Sequence, residues 1–139
     1  MIMRSVCRLL ILGFLAFSID AQCVRGDLEV SSVSGRVVED TQFATPVKGV
    51  SVVITQDKYR GKTIANTLTD DQGNFELPNI KGGKYLLSIR FPNFDPIVTR
   101  LRVRKSNREF GALLARIAPP DLSGTDSCEG SVSVVSKRN

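Results

Sequence analysis

The sequence contains no histidine and no tryptophan among its 139 residues. Without histidine there is no Ser-His-Asp or Cys-His catalytic pair, no His-ligated zinc or iron, and no imidazole that titrates near neutral pH. Without tryptophan the chain lacks the side chain that offers the strongest stacking surface to a sugar ring or a base. These absences exclude several enzyme classes and weaken the case for ligand binding by stacking.

The first 21 residues have the pattern of a secretory signal peptide. Arg4 and Arg8 precede the apolar run 9–17, and small or polar residues follow it. This run is shorter than the about 20 apolar residues that span a bilayer. We therefore predict a signal peptide over residues 1–21, cleaved after Ala21, and no transmembrane segment in the mature chain. The mature protein is then expected to be secreted or periplasmic.

Removal of residues 1–21 leaves 118 residues with a net charge of +4. A chain of that length can bury enough apolar surface for one independent core. Its mild basicity is not by itself a nucleic-acid signature, so no nucleic-acid partner is expected. No nucleophile is paired with a base at a recognised spacing. We therefore predict no catalytic residues, no bound metal and no cofactor.

The mature chain keeps two cysteines, Cys23 near its start and Cys128 near its end. In an oxidising compartment two such cysteines can pair. The bond would close a loop of about 105 residues, worth up to about 4.7 kcal/mol on the loop-entropy model. We predict this disulfide, and two unpaired thiols are the alternative.

Short runs of alternating apolar residues, separated by turn residues, extend from residue 30 to residue 117. This spacing favours a seven-stranded antiparallel Greek-key β-sandwich, as in immunoglobulin-like folds, over residues 30–118. Residues 22–29 are then an N-terminal segment, and residues 119–139 a Ser/Gly-rich tail whose stretch 131–135 could add an edge strand. The seven predicted strands are 33–38, 50–55, 63–69, 74–77, 85–91, 97–104 and 110–117.

Four motifs in this region carry a family resemblance. They are the "G-x-V" of the first strand at 35–37, "P-x-x-G" with valines after it at 46–52, "T-D-x-x-G-x-F" at 69–75, and "G-x-Y" at 83–85. Together they resemble the carboxypeptidase regulatory-like domain, a transthyretin-like β-sandwich found in many exported proteins. The stretch 91–94 departs from the glycine-aromatic pair that the family often has there.

The resemblance implies a fold and leaves the function open, because the hallmark residues are structural. Gly49 is expected to bend the chain into the second strand, and Gly73 to close a hairpin in which Asp70 accepts hydrogen bonds from turn amides. Phe75 and Tyr85 are expected inside the sandwich. Related hydroxyisourate hydrolases depend on histidines, which this chain lacks. Carboxypeptidases that carry the domain keep their zinc in a separate domain.

Two charged features of the sequence are candidate sites. The acidic turn at 70–74 has two adjacent acids and lacks the alternate spacing of a calcium loop, so we interpret it as a structural turn. Arg100, Arg102 and Arg104 leave one face of one strand at a period of two residues. This stripe is a candidate anion-binding surface, and a solvated outer face is the alternative.

Four aromatic residues in or near predicted loops are candidates for contact with a glycan: Phe43, Tyr59, Phe91 and Phe94. Packing at the rim of the core is the alternative reading for each ring. The sequence thus predicts an exported, non-catalytic module that binds an unknown protein or a cell-envelope glycan. A carbohydrate-binding module of starch-binding-like fold and a histidine-free hydrolase are the competing hypotheses.

Overall fold

The computed structural model describes residues 24–58, 60–105, 111–120 and 128–136. Within these ranges every regular element is a β-strand. The strands are β1 (Val24–Val30), β2 (Val33–Glu39), β3 (Ser51–Gln56), β4 (Thr63–Leu68), β5 (Asn74–Leu77), β6 (Gly83–Arg90), β7 (Ile97–Val103), β8 (Ala112–Ile117) and β9 (Ser131–Val135).

The strands form two sheets, which enclose one apolar core. The five-stranded sheet has the order β1-β7-β6-β3-β4, and the four-stranded sheet has the order β5-β2-β8-β9. Two neighbouring pairs are parallel, β1 with β7 and β2 with β8, and the other pairs are antiparallel. Both sheets are therefore mixed.

The predicted all-β fold is confirmed, but the prediction of seven uniformly antiparallel strands is wrong. The seven predicted strands correspond to β2–β8. The two additional strands lie outside the predicted sandwich, β1 in the N-terminal segment and β9 in the tail. Each extends one sheet by a strand, and β1 does so in parallel, because it enters from the same end as β7.

The core follows from the two-residue periodicity of the strands, which sends alternate side chains to one face. Val52 and Ile54 of β3 and Leu87 and Ile89 of β6 are fully buried, whereas their neighbours along the strands face outward. Burial of one such side chain contributes roughly 1.5–3 kcal/mol. Phe75 and Tyr85 also belong to the core, as predicted.

The strand registers define two ends of the sandwich. Ser51 pairs with Arg90 at one end of β3, and Gln56 pairs with Tyr85 at the other. The first end carries the β2–β3, β4–β5 and β6–β7 connections. The second end carries the turn between β3 and β4, the turn between β5 and β6, and the residues after β7.

Candidate functional site

The outer face of the five-stranded sheet carries a groove of about 530 Å³. Three neighbouring strands supply its charged walls. Asp27 and Glu29 of β1 lie opposite Arg100 and Arg102 of β7, and Lys84 of β6 lies opposite Arg102 on the other side. Asp57, after β3, lines the same groove. Backbone pairing therefore holds carboxylates, guanidinium groups and an ammonium group in adjacent rows on one exposed face.

The pairing of charges within this array is uneven. Glu29 has Arg102 as its neighbour in the register, yet its carboxylate forms its ion pair with Arg104, with 2.8 Å between Oε1 and Nε. Arg102 is left beside Lys84, a like charge directly across the strands. Like charges in that position repel each other. The array therefore contains one locally uncompensated pair of positive side chains.

The predicted arginine stripe lies where the alternation placed it. Arg100, Arg102 and Arg104 are exposed, whereas Leu101 and Val103 point into the core. The acidic strand β1 beside them was not part of the prediction. Since Asp27 and Glu29 face two of the three arginines, the stripe is one row of a mixed charged surface. Its anion-binding role stays a prediction.

The candidate aromatic residues that the structure describes, Phe43, Phe91 and Phe94, lie at one end of the sandwich. Phe91 and Phe94 contact each other, with ring centroids 5.6 Å apart, and both pack partly against the core. Phe43 lies in the β2–β3 connection at the same end of the sandwich and is 78% exposed. Tyr59 lies outside the described residues, and its flanking residues Lys58 and Arg60 belong to the opposite end.

A second shallow groove, of about 560 Å³, lies on the outer face of the four-stranded sheet. Its walls include Arg36 of β2, Glu76 of β5 and Leu114 of β8. Arg36 is held there because its Nε donates a hydrogen bond of 2.9 Å to the Gln72 carbonyl. This groove is more apolar than the first and carries fewer charges.

The acidic turn at 70–74 is held by its own side chain. Oδ1 of Asp70 accepts hydrogen bonds from the backbone N–H groups of Gln72 and Asn74, at 3.0 and 2.9 Å. Gly73 has φ of +75°, so it occupies the left-handed region that the hairpin requires. Among the described residues no group of three or more Cys, Asp or Glu side chains is placed to hold a metal ion.

The buried hydroxyl of Thr69 was missed by the sequence analysis. It donates to the Val47 carbonyl at 2.7 Å and accepts from the Val50 N–H at 2.9 Å. It thereby clamps the bend at Gly49, where φ is +78°. The signal was present in the "T-D-x-x-G" motif, in which the threonine comes directly before the turn.

Arg25 was also missed, and it joins the two ends of the chain. Its Nη2 donates to the carbonyl oxygens of Cys128 and Glu129, at 2.6 and 2.8 Å. The Glu129 N–H in turn donates to Oδ2 of Asp95 at 3.1 Å. These bonds dock residues 128–130, which lead into β9, onto the start of β1. We call this contact the terminal clamp.

The predicted disulfide bears on the same region. Cys23 lies outside the described residues, so the pairing with Cys128 stays a prediction. The clamp residue Arg25 follows Cys23 by two positions, and its side chain contacts the Cys128 carbonyl. The signal peptide over 1–21 also lies outside the described residues. In the part of the chain that is described, no helix is long and apolar enough to cross a membrane.

Comparisons with known proteins agree with this architecture. No curated protein sequence matches the chain. Among solved structures, the 5-hydroxyisourate hydrolase of Klebsiella pneumoniae is similar with a TM-score of 0.54 and 21% sequence identity. The match covers 76% of this chain and 99% of the hydrolase. At that identity the likeness concerns the fold, which is transthyretin-like.

The sequence itself gives a more specific result. The model of the family described as the carboxypeptidase regulatory-like domain matches residues 32–109. This range begins just before β2 and extends past the end of β7, so it contains all four motifs and most of the core. The chain belongs to the carboxypeptidase regulatory-like domain family.

Proposed function

We propose that the mature chain is an exported, non-catalytic module that binds a protein or a cell-envelope glycan through its outer faces. The observation that carries this proposal is the charged array around the groove on the five-stranded sheet. Side chains on paired strands are held more rigidly than side chains on loops, so such an array can present a fixed pattern to a partner. The role is that of an accessory domain at the cell envelope or outside the cell.

The binding role is tested by capture of partners from a native envelope fraction with purified mature protein. The probe variant is Arg100→Glu/Arg102→Glu, which reverses two charges in the array. The matched control is Lys48→Glu/Arg116→Glu, which makes the same charge change away from it. We expect one or more partners to be retained by the wild type and the control and lost by the probe variant. Equal retention by all three proteins would exclude this face as the binding surface.

Export rests on the residue pattern of positions 1–21. We expect the full-length chain, produced in a bacterial host, to appear outside the cytoplasm with Gln22 as its first residue. Intact mass measurement and N-terminal sequencing of the fractionated protein check this. Unprocessed protein that stays in the cytoplasm would contradict the proposal.

Absence of catalysis is the second part of the proposal. The similar solved structure is a 5-hydroxyisourate hydrolase. The family resemblance implies that the activity of such hydrolases depends on histidines, and this chain has no histidine. We expect the mature protein to leave the spontaneous decay rate of 5-hydroxyisourate unchanged. A rate that rises in proportion to protein concentration would support the alternative of a histidine-free hydrolase.

Neutral glycan binding is retained as an alternative because Phe43 is 78% exposed. An aromatic ring that projects into solvent from a loop offers one stacking face to a sugar. A glycan array separates this alternative from the charged-face proposal. If stacking on Phe43 matters, Phe43→Ala removes the signal, whereas Arg100→Glu/Arg102→Glu preserves it.

A further inference from the structure

The charges of the described residues are unevenly distributed between the two ends of the sandwich. The end formed by the β3–β4 turn, the β5–β6 turn and the residues after β7 is here called the basic end. The β3–β4 turn supplies Lys58, Arg60 and Lys62, all of which are exposed. These side chains extend beyond Gln56, the last residue of β3.

The neighbouring connections add further cations. Lys81 and Lys84 flank the start of β6, and Arg102, Arg104 and Lys105 occupy the end of β7. The registers bring these groups together, because Gly83 pairs with Val103 and Lys84 with Arg102. All five are exposed.

The basic end therefore holds eight basic side chains. The acidic side chains there are Glu29, Asp57 and Glu76, which leaves a net charge of +5. The remaining described residues contain six basic and seven acidic side chains, a net charge of −1. The whole excess of positive charge in the described part of the chain thus lies at one end.

Two observations show that the charges of Lys84 and Arg102 are available to a ligand. Glu29 is engaged with Arg104, and among the described side chains no carboxylate forms an ion pair with Lys84 or Arg102. Lys84 and Arg102 lie directly opposite each other, at the spacing of a cross-strand pair. An anionic group placed between them would remove their mutual repulsion.

The β5–β6 turn, which carries Lys81, is fixed to the core. The Tyr85 hydroxyl donates a hydrogen bond of 2.6 Å to the Lys81 carbonyl, and the Tyr85 ring is buried in the core. The backbone that carries Lys81 and Lys84 is therefore fixed to the sandwich. Little conformational freedom of this backbone is lost when a ligand binds.

We propose that the basic end binds an anionic polysaccharide, with Lys84 and Arg102 contacting one carboxylate, sulfate or phosphate group and the turn lysines contacting the next. This inference rests on the proposed binding role and names the chemical class of the ligand. In the described residues outside the basic end, six basic and seven acidic side chains nearly cancel, so that part of a second copy carries no net negative charge comparable to the +5 of the basic end.

A polymer chain fits this surface better than a bilayer does. Lys84 and Arg102 project from the face of the sheet, since alternate side chains stand perpendicular to it. Lys62 and Lys81 lie in turns at the tips of the strands. The first set therefore lies on a face of the sandwich and the second at its end. A flat membrane meets one set at a time, whereas a linear polyanion can follow the corner.

The experiment uses the mature protein and heparin as a defined sulfated polysaccharide, with dextran as the neutral control. Two probe variants, Lys84→Ser/Arg102→Ser and Lys62→Ser/Lys81→Ser, each remove two charges from the basic end. The variant Lys48→Ser/Arg116→Ser removes two charges elsewhere. Circular dichroism confirms the fold of each, and the affinity is measured by titration at low and at physiological salt.

We expect the wild type to bind heparin and not dextran, with an affinity that falls steeply as salt increases. Each probe variant is expected to weaken binding by up to about 25-fold, since an exposed charge pair contributes up to about fivefold and two are lost. The control variant is expected to stay within about twofold of the wild type. Equal affinities for the control and both probe variants would overturn the proposal.

A second arm distinguishes the sources of the anionic group. Vesicles that contain one-third phosphatidylglycerol replace heparin in the same titration. Binding to vesicles without binding to heparin would assign the surface to a membrane and overturn the polysaccharide inference. The capture of partners from the envelope fraction tests the proposed binding role independently of the heparin titration. A partner retained there in the absence of polysaccharide binding would preserve the proposed binding role and reject this ligand.

Discussion

The hydroxyl of Thr69 connects two backbone groups that the bend at Gly49 leaves without partners in the strand ladder. Thr69→Val keeps the size of the side chain and removes the hydrogen-bonding group, so the buried Val50 N–H loses its partner. A buried donor left unsatisfied costs about 1–3 kcal/mol. We expect the free energy of unfolding, measured with urea, to fall by that amount.

Thr69→Ser is the matched control for this change, because it keeps the hydroxyl and loses only a methyl group. It is expected to lose less than half of what Thr69→Val loses. If the two variants unfold at the same urea concentration, the hydrogen bonds contribute nothing beyond packing.

Two glycines allow the backbone strain and a steric clash to be separated. Gly49 and Gly73 have nearly the same φ, +78° and +75°. A Cβ on Gly49 meets nothing within 4 Å, whereas one on Gly73 would lie 2.4 Å from the Val37 carbonyl oxygen. Gly49→Ala should therefore cost only the left-handed conformation, about 1–2 kcal/mol.

Gly73→Ala adds the clash to that strain, and the clash displaces the strand pairing around Val37. We expect its loss of stability to exceed that of Gly49→Ala by more than about 1 kcal/mol in the same unfolding assay. Equal losses of unfolding free energy in Gly49→Ala and Gly73→Ala would mean that the hairpin backbone shifts to accommodate the new Cβ without further destabilisation.

At the scale of elements, the sequence predicted the strands that carry their own pattern. β3, β6 and β7 alternate apolar and polar residues, and the structure confirms both their faces and their approximate bounds. β1 was missed because Arg25, Asp27 and Glu29 interrupt any apolar run. Its pairing depends on β7, which lies more than 60 residues away in the sequence, and on the clamp formed by Arg25.

β9 depends on the same clamp. Its five residues alternate between half-buried and exposed side chains, and it lies at the edge of its sheet, where it pairs with β8. Arg25→Ala removes both hydrogen bonds to residues 128 and 129. In the Cys23→Ser/Cys128→Ser background, where no disulfide can hold residue 128, we expect faster amide hydrogen exchange in β9 as a result, with β3 and β6 unchanged, because the terminal strand opens locally before the core unfolds.

Arg25→Lys is the control, since a lysine keeps the charge and has several N–H donors on one nitrogen, but its side chain is shorter than that of arginine and places this nitrogen farther from the two carbonyls. It is expected to show intermediate exchange in β9. If the amide exchange rates of β9 are the same in the parent protein, Arg25→Ala and Arg25→Lys, the terminal clamp does not hold the strand.

At the scale of the whole molecule, the candidate site depends on topology. The residues of the basic end come from positions 58–62, 81–84 and 102–105, which no local pattern connects. From the sequence, Arg100, Arg102 and Arg104 could be assigned to one face, because they alternate along a single strand. The antiparallel return of β6 onto both β3 and β7 places the other cations beside them.

The predicted disulfide and the terminal clamp act on the same junction of the chain, and that gives a test of both. If Cys23 and Cys128 are bonded, the ends stay close even when Arg25 is replaced. In the oxidised protein Arg25→Ala should then lower the free energy of unfolding only slightly. In the Cys23→Ser/Cys128→Ser background no covalent bond supports the terminal clamp, so the same substitution should lower the free energy of unfolding more, with a coupling of about 0.5–3 kcal/mol.

The cycle needs four proteins and one measurement, the free energy of unfolding under non-reducing conditions. Intact mass, lower by about two daltons than that of the reduced chain when the bond forms, reports the redox state of each sample independently. Loss of the bond alone is expected to cost up to about 4.7 kcal/mol, because a loop of about 105 residues regains its freedom in the unfolded state. If the losses in free energy of unfolding caused by the Arg25 and the cysteine substitutions are strictly additive, the disulfide and the terminal clamp do not act on the same junction. Free thiols at Cys23 and Cys128 in exported protein would exclude the disulfide, and the terminal clamp would then be tested by hydrogen exchange in β9 alone.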